Sequence, residues 1–112
     1  MIDRHIFQEL RALIPLEQWA VIVQELFDPQ SGDVAKLIQL MSVQSGGEAI
    51  GNQAHKLKGA ALLLGLVCLG NWAAHIEQLT RQTPAVMAPE VIERLRQLAA
   101  DTQAEIQANL QA

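Results

Sequence analysis

The chain has 112 residues, of which half are hydrophobic and 18% are charged, and its formal net charge at pH 7 is -4. This length fits one domain with a single core, and the apolar fraction is too high for a disordered chain. With 8 Lys and Arg against 12 Asp and Glu, the chain lacks the concentrated positive charge that nucleic-acid binding needs. We therefore expect a single globular domain over residues 1–112, with no nucleic-acid partner.

Apolar residues recur at helical spacing along the whole chain, and no strand-like alternation persists. A first helix is expected to end at Pro15, because the residue before a proline is pushed out of helical geometry. Pro15 also suits the start of a second helix, which ends at a turn over residues 28–32. A third helix then runs to the SVQSGG segment at residues 42–47.

The second half of the chain predicts three further helices. A fourth helix is expected to end near Gly65, a residue suited to a left-handed cap, and a fifth to run from Leu66 to about Gln82. After a connection reading TPAVMAP, Pro89 suits the first turn of a last helix that reaches about Leu110. The pattern predicts an all-α fold, an antiparallel up-and-down four-helix bundle with an additional short N-terminal helix.

The sequence predicts no direct contact with a membrane. The longest uncharged run, residues 59–74, is shorter than the roughly 20 apolar residues that span a bilayer, and the N-terminal segment lacks a signal peptide's apolar core. The single cysteine, Cys68, cannot form an internal disulfide and is expected to be a small buried residue in a reducing compartment. We expect a cytoplasmic, monomeric domain.

Residues 53–65, QAHKLKGAALLLG, place a basic cluster and two glycines in a segment that otherwise reads as a core helix. At about 100° per residue, His55 points away from an apolar stripe on the opposite side of this helix. That stripe consists of Ile50, Ala54, Leu57, Ala60, Ala61 and Leu64. The face around the histidine holds Glu48, Gly51, Asn52, Lys58, Gly59 and Leu62. We therefore expect an exposed histidine on a helix whose opposite face is buried.

Gly51 and Gly59 lie four residues before and four after His55, so they are its nearest neighbours along the helix face. Each glycine costs roughly 1 kcal/mol relative to alanine inside a helix. The combination indicates a surface that lets another protein approach a nucleophile closely. The structural alternative is a solvated histidine, glycines that admit a neighbouring helix, and a leucine that simply remains exposed.

The residues around His55 limit the kinds of chemistry in which this histidine could take part. No other His or Cys lies at helical ligand spacing from it, so no metal site is expected, and His5 and His75 are expected to be surface or boundary residues. A nucleophilic triad lacks a suitable nucleophile, since Cys68 falls in a predicted core region. The imidazole itself remains, because a neutral imidazole keeps a free lone pair at physiological pH.

The segment AHKLKGAALLLG closely resembles the motif of histidine-containing phosphotransfer (HPt) domains of multistep two-component signalling. The positions in the family's register are Ala54, His55, Leu57, Lys58, Gly59, Ala60, Ala61 and Gly65. The downstream LGNWAAHIEQL is similar to the family's following helix, and the order and length of the helices agree along nearly the whole chain. The resemblance implies a four-helix bundle with an exposed phosphoacceptor histidine.

The resemblance also implies a role for each matching residue. His55 would accept a phosphoryl group through Nε2, Lys58 would hold the phosphoryl oxygens, and Gly59 would keep the approach to the imidazole open. Glu77, on the next helix, matches a position that contacts the histidine, where a carboxylate would hold Nδ1–H and leave Nε2 free. The receiver-docking surface would include Glu48, Gly51, Asn52 and Leu62.

The partners that the resemblance implies are response-regulator receiver domains, one donating the phosphoryl group from an aspartyl phosphate and another receiving it. The chain itself is expected to hold no cofactor, and the Mg²⁺ for the aspartyl chemistry would be held by the receiver. Because no glycine-rich phosphate loop is present for ATP, we expect a phosphoryl carrier rather than an enzyme. The chain resembles the C-terminal module of a hybrid sensor histidine kinase, which would place it at the cytoplasmic end of a membrane-anchored kinase.

Two alternatives stay open from the sequence. The dimerisation and phosphoacceptor domain of a sensor kinase typically has an acidic residue directly after the histidine and a proline later in the same helix. In this chain Lys56 follows the histidine, and the next proline is Pro84. A non-catalytic helical protein-interaction bundle would share the predicted fold without any phosphoryl chemistry.

Overall fold

The computed structural model describes residues 2–82 and 88–111, which form six α-helices and no strand. The helices are α1 (Arg4–Leu13), α2 (Leu16–Phe27), α3 (Asp33–Ser42), α4 (Gly47–Leu63), α5 (Val67–Thr80) and α6 (Pro89–Gln111). The predicted all-α class is confirmed. Most of the predicted connection TPAVMAP, residues 83–87, lies outside the described residues.

The predicted helix breaks are present, and in the described residues they delimit six helices, the number predicted in chain order. The predicted arrangement of these helices as a four-helix bundle with one N-terminal helix, which counts five, is not confirmed. Pro15 separates α1 from α2, and the turn after Phe27 separates α2 from α3, so three short helices precede α4. In that turn the Asp28 carboxylate accepts hydrogen bonds from the Ser31 amide at 2.8 Å and the Ser31 hydroxyl at 2.9 Å. A side chain thus closes the turn that precedes α3.

Gly65 lies in the turn between α4 and α5 and forms a hydrogen bond with the segment before α1. Its φ of +77° lies in the left-handed region, which glycine adopts without steric cost. The Gly65 carbonyl accepts a hydrogen bond from the Asp3 amide at 2.7 Å. The Asp3 side chain in turn caps α1 by accepting from the amides of His5 and Ile6. The N-terminal end of α1 is therefore fixed to the turn between α4 and α5.

The apolar faces of the helices form one core, which includes the predicted stripe of α4 except that Ala60 is only partly buried. The buried residues of that stripe are Ile50, Ala54, Leu57, Ala61 and Leu64. The other helices contribute Phe7, Trp19, Leu26, Val34, Leu37, Met41, Leu69, Ala73, Ile76, Leu95, Ala99 and Ile106. No helix in the described part of the chain is long and apolar enough to cross a membrane.

Cys68 was predicted to be a buried core residue, but in the structure it is only partly buried. It lies in the first turn of α5, directly after the exposed Val67 and before the buried Leu69. At a helix start the core covers only one side of the turn, and position 68 falls at the edge of the covered side.

α4 and α5 pack as an antiparallel pair, and their register decides what lies beside His55. His55 is level with Glu77, and Gly51 is level with Thr80, so residue numbers rise along one helix as they fall along the other. The short connection around Gly65 joins the two helices directly. The outward face of α4 near His55 is therefore bordered by the last two turns of α5.

Replacing Leu57 by alanine is expected to lower the free energy of unfolding by about 2–5 kcal/mol, because Leu57 is fully buried and the truncation leaves a cavity. The matched control is Leu63→Ala, the same truncation in the same helix at a residue that is 76% exposed, where a change within about 0.5 kcal/mol is expected. Urea unfolding followed by circular dichroism measures both. Equal losses in the two variants would contradict this placement of the core face of α4.

Candidate functional site

His55 stands on the outward face of α4, opposite the core stripe. Its side chain is 66% exposed, so the imidazole is accessible to a partner molecule. Nδ1 lies 2.9 Å from Oε2 of Glu77 on α5. Among the described residues, Nε2 has no hydrogen-bond partner. The ring is therefore held at one nitrogen and open at the other.

The contact with Glu77 selects one tautomer of the imidazole. An ionised carboxylate can only accept hydrogen bonds, so Nδ1 carries the proton and donates it to Oε2. In a neutral imidazole, Nε2 is then the nitrogen with the free lone pair. Nε2, the nitrogen with the free lone pair, is therefore the one that forms no hydrogen bond with any described side chain.

Glu77 is itself surrounded by cationic groups. Its side chain is only 12% exposed; Lys58 Nζ lies 2.8 Å from Oε1, and the Arg81 guanidinium lies 3.5 Å from Oε2. The pKa of Glu77 is lowered, chiefly by the hydrogen bond from Lys58; partial burial opposes this, and the hydrogen bond from His55 adds to it. The carboxylate is therefore ionised at neutral pH and can hold Nδ1–H.

Lys58 and Gly59 lie one turn after His55 along α4. The Lys58 ammonium donates one hydrogen bond to Glu77 and has two further N–H groups, and its side chain is 28% exposed. A Cβ added at Gly59 would meet no atom within 4 Å, so no packing contact requires glycine there. Gly59 leaves the surface of the helix open beside the imidazole.

Three of the four residues predicted for docking lie together in an open cleft of about 260 Å³ beside His55, between α4 and α5. These three are Glu48, Gly51 and Asn52. The cleft is completed by Gly47, His55, Glu77, Thr80 and Arg81. The fourth predicted residue, Leu62, is outside the lining of this cleft.

Gly51 and Leu62 also have packing roles that the sequence analysis placed only among its structural alternatives. A Cβ at Gly51 would lie 2.8 Å from the Thr80 hydroxyl oxygen, so the missing side chain lets α5 approach α4. Leu62 is 41% exposed, but a Cβ at Gly70 would lie 2.5 Å from its Cδ2. Leu62 thus covers the backbone of α5 with part of its side chain and exposes the rest.

Lys56, directly after His55, is directed toward the other neighbouring helix. Its Nζ lies 3.2 Å from Oδ1 of Asp33, a buried residue at the start of α3. The side-chain amide of Gln53 donates a hydrogen bond to the backbone carbonyl of the same aspartate at 3.0 Å. The basic cluster in the sequence is therefore divided, with Lys56 bound to α3 and Lys58 bound to α5.

The other two histidines lie away from the site and are exposed, in agreement with the prediction. His5 pairs with Glu9 on α1 at 3.0 Å, and the His75 ring packs against Trp72 at a tilt of 35°, with ring centroids 4.9 Å apart. Among residues 2–82 and 88–111, no group of His, Cys, Asp and Glu side chains is arranged to hold a metal ion.

Sequence reasoning missed two residues that border His55. Arg81 contacts the Glu77 carboxylate, and the Thr80 hydroxyl donates to the Glu77 backbone carbonyl at 2.6 Å. Arg81 is the C-cap residue of α5, four residues after Glu77, and this spacing is the sequence signal that could have found the arginine. No comparable signal identifies Thr80, because its place beside Gly51 follows from how α4 and α5 pack.

The amino-acid sequence of this chain matches the model of a known protein family. The family model described as the Hpt domain matches residues 21–105, more than half of the chain, and this range includes all of α3, α4 and α5. Neither the curated proteins nor the solved structures that were searched gave a significant match. Hpt domains are phosphoryl carriers rather than ATP-dependent enzymes; they act in two-component and phosphorelay signalling and interact with the receiver domains of response regulators. Because the match covers most of its length, this chain belongs to the Hpt domain family.

Proposed function

We propose that this chain is a phosphorelay intermediate in which His55 accepts a phosphoryl group from a receiver aspartyl phosphate and passes it to a second receiver. The observation that carries this proposal is the exposed imidazole whose Nδ1 is bound by Glu77 at 2.9 Å, while Nε2 has no hydrogen-bond partner in the part of the chain that the structure describes. His5 also contacts a glutamate, but Glu9 is 65% exposed and lies on the same helix. Glu77, in contrast, is only 12% exposed, lies on the neighbouring helix and is held by Lys58 as well, so it can fix the orientation of the His55 ring.

The proposed transfer step balances without any external proton. The Nε2 lone pair attacks phosphorus, the N–P bond forms, and the bond from phosphorus to the aspartyl oxygen breaks, so that the aspartate leaves as a carboxylate. The proton on Nδ1 stays in place, and the ring gains positive charge as the bond forms. The Glu77 carboxylate, already bonded to Nδ1–H, stabilises that developing charge.

Lys58 is the residue proposed to bind the phosphoryl oxygens on one side. It lies three residues after His55, about 4.5 Å along the helix axis, and its ammonium has hydrogen-bond donors beyond the one bound to Glu77. A cation placed in advance at the transferring group stabilises charge without reorganisation during the step.

The docking surface in this proposal consists of Gly59, Leu62 and the cleft residues Glu48, Gly51 and Asn52. Gly59 leaves the helix surface open, and the exposed part of Leu62 offers an apolar contact on the same side of α4. The receiver would supply the Mg²⁺. We further propose a monomeric carrier over residues 1–112 in the cytoplasm, a compartment in which the single cysteine would remain a free thiol.

His55→Gln is expected to abolish phosphoryl uptake, because glutamine keeps hydrogen-bonding groups but has no nucleophilic ring nitrogen. The assay incubates the purified chain with a phosphorylated receiver and follows the label, which should be labile in acid and stable in base. The matched controls are His5→Gln and His75→Gln, the same substitution at the two other histidines, and both should take up label at the wild-type rate. Uptake by His55→Gln at that rate would refute the assignment and leave a non-catalytic interaction bundle or a different acceptor residue.

Gly59→Leu is expected to slow transfer about tenfold, equivalent to about 1.4 kcal/mol of lost docking free energy, because a leucine would project into open space beside the imidazole. Its fold should be retained, since the added Cβ meets no atom within 4 Å. Gly46→Leu is the control, because an added Cβ there is also unobstructed but lies two helical turns and more from His55. Receiver titrations of the transfer rate separate docking from chemistry. Wild-type transfer by Gly59→Leu would show that the surface around Gly59 is not part of the interface.

Glu77→Gln is expected to reduce the loss of stability in acid. The folded-state pKa of Glu77 lies below its ordinary value of 4.5, so its stabilising effect is fully present above pH 4.5 and is lost as the pH falls through the folded pKa. A glutamine has no such dependence, so the difference in unfolding free energy between wild type and variant should shrink below pH 4.5. Thermal unfolding of both proteins from pH 6 to pH 3 measures this difference. A difference that is constant over this range would contradict an ionised Glu77 bonded to Lys58.

A further inference from the structure

Gly51 of α4 faces Thr80, the last residue of α5, in the cleft beside His55. A Cβ added at Gly51 would lie 2.8 Å from the Thr80 hydroxyl oxygen, well inside the 3.4 Å at which ordinary van der Waals contact begins. The hydroxyl is not free to turn away, because it donates a hydrogen bond to the backbone carbonyl of Glu77 at 2.6 Å. A side chain at position 51 would therefore displace the last turn of α5 or break this hydrogen bond.

The contact acts on the residue that holds the imidazole. The carbonyl that accepts from Thr80 belongs to Glu77, whose carboxylate accepts from His55 Nδ1 at 2.9 Å. Along α4, Gly51 precedes His55 by four residues, about 6 Å, and along α5, Thr80 follows Glu77 by three residues, about 4.5 Å. The two contacts therefore lie in adjacent turns of the same helix pair, so the separation of the helices at one contact sets their separation at the other.

The hydrogen bond that orients the ring tolerates only a small change in this separation. Relieving the overlap at position 51 needs a displacement of about 0.6 Å, the difference between 2.8 Å and 3.4 Å. The same displacement would lengthen the contact of His55 Nδ1 with Glu77 from 2.9 Å to about 3.5 Å, where a hydrogen bond is nearly lost. The hydrogen bonds of the ring decide which nitrogen carries the proton, and an imidazole surrounded by water carries it mostly on Nε2.

We propose that Gly51 and Thr80 are positioning residues, which set the separation of α4 and α5 at which Glu77 holds the imidazole in its Nδ1–H tautomer. The consequence for phosphoryl transfer rests on the proposed function, whereas the effect on the tautomer does not. Only the Nδ1–H tautomer has its free lone pair on Nε2, so the population of this tautomer limits the rate at which His55 takes up a phosphoryl group. Gly51 acts through Glu77 and touches no reacting atom.

The chain offers a pair of substitutions that separates this contact from other effects of replacing a glycine. Gly51→Ala adds the Cβ that meets the Thr80 hydroxyl. Combining it with Thr80→Ala removes that oxygen and leaves the two Cβ atoms 3.7 Å apart, which is ordinary contact. Thr80→Ala alone completes the double-mutant cycle. The control is Gly59→Ala, the same substitution on the same helix, four residues on the other side of His55, where the added Cβ meets no atom within 4 Å.

The tautomer of His55 gives the direct readout. It is measured from the ring ¹⁵N chemical shifts of the unphosphorylated proteins, at a pH at which the ring is neutral. The wild type should carry the proton on Nδ1, and the Nε2–H form should increase in Gly51→Ala. The double variant, Thr80→Ala and Gly59→Ala should keep the wild-type tautomer. A glycine that only eased helix packing would alter the stability of the fold but not this signal.

The rate of phosphoryl uptake from phosphoramidate gives the second readout. No receiver is present, so the proposed docking role of Gly51 does not enter the result. Nε2 attacks phosphorus and the N–P bond to the histidine forms, while the N–P bond of the donor, protonated on nitrogen, breaks and ammonia leaves. Uptake by Gly51→Ala should be about fivefold slower than by the wild type, the effect of losing about one net hydrogen bond, and it should recover in the double variant. Thermal unfolding checks that all the variants fold.

Three results would overturn the inference, and they differ in what they imply for His55. If Gly51→Ala keeps the wild-type tautomer and rate of uptake, the contact with Thr80 does not position Glu77, while the proposed function stands. If the double variant is as impaired as Gly51→Ala, the loss does not come from the Thr80 hydroxyl, and again the proposed function stands. If the wild type takes up no phosphoryl group at His55, the proposed function fails and the proposed effect on transfer fails with it.

Discussion

The carboxylate of Glu77 bonds to two side chains of α4 from a position on α5, and the geometry of the site depends on this contact. Oε2 accepts from His55 Nδ1 and Oε1 accepts from Lys58 Nζ. Without a partner on α5, an exposed histidine on α4 would rotate about its side-chain bonds and exchange tautomers. The orientation of the imidazole is therefore a property of the helix pair, and whatever keeps α4 and α5 in register also keeps Nε2 free.

Three glycines of α4 and the turn after it have different effects on the packing of α4 against α5 and on the access to His55. Gly65 has a positive φ that reverses the chain between the two helices. Gly51 lets α5 approach, because a side chain there would meet Thr80. Gly59 touches nothing beyond its own helix, and its cost in helix propensity is offset by no packing contact. No packing contact therefore explains the glycine at position 59, whereas the proposed docking of a receiver would explain it.

The division of charge around α4 follows from the same packing. Lys56 and Lys58 are two residues apart, so they project to different sides of the helix, one toward Asp33 on α3 and the other toward Glu77 on α5. Both carboxylate side chains are only 12% exposed, so these pairs are less screened by solvent than ordinary surface pairs. The ion pairs thus connect α4 to both of its neighbours, and of the two lysines only Lys58 contacts the residue that holds the imidazole.

The helical periodicity of the sequence, together with its proline and glycine breaks, was enough to predict an all-α chain with helix ends close to those observed, a buried stripe on α4 and an exposed His55 opposite it. These features depend on spacing within one helix, which the order of residues determines directly. The pairing of His55 with Glu77 was proposed from family resemblance, and the contact itself required the register of α4 against α5. Arg81, the close approach at Gly51, the partial cover of Gly70 by Leu62 and the partial exposure of Cys68 needed the tertiary structure as well. They depend on distances between residues far apart in the chain, and those distances are set by how the helices pack.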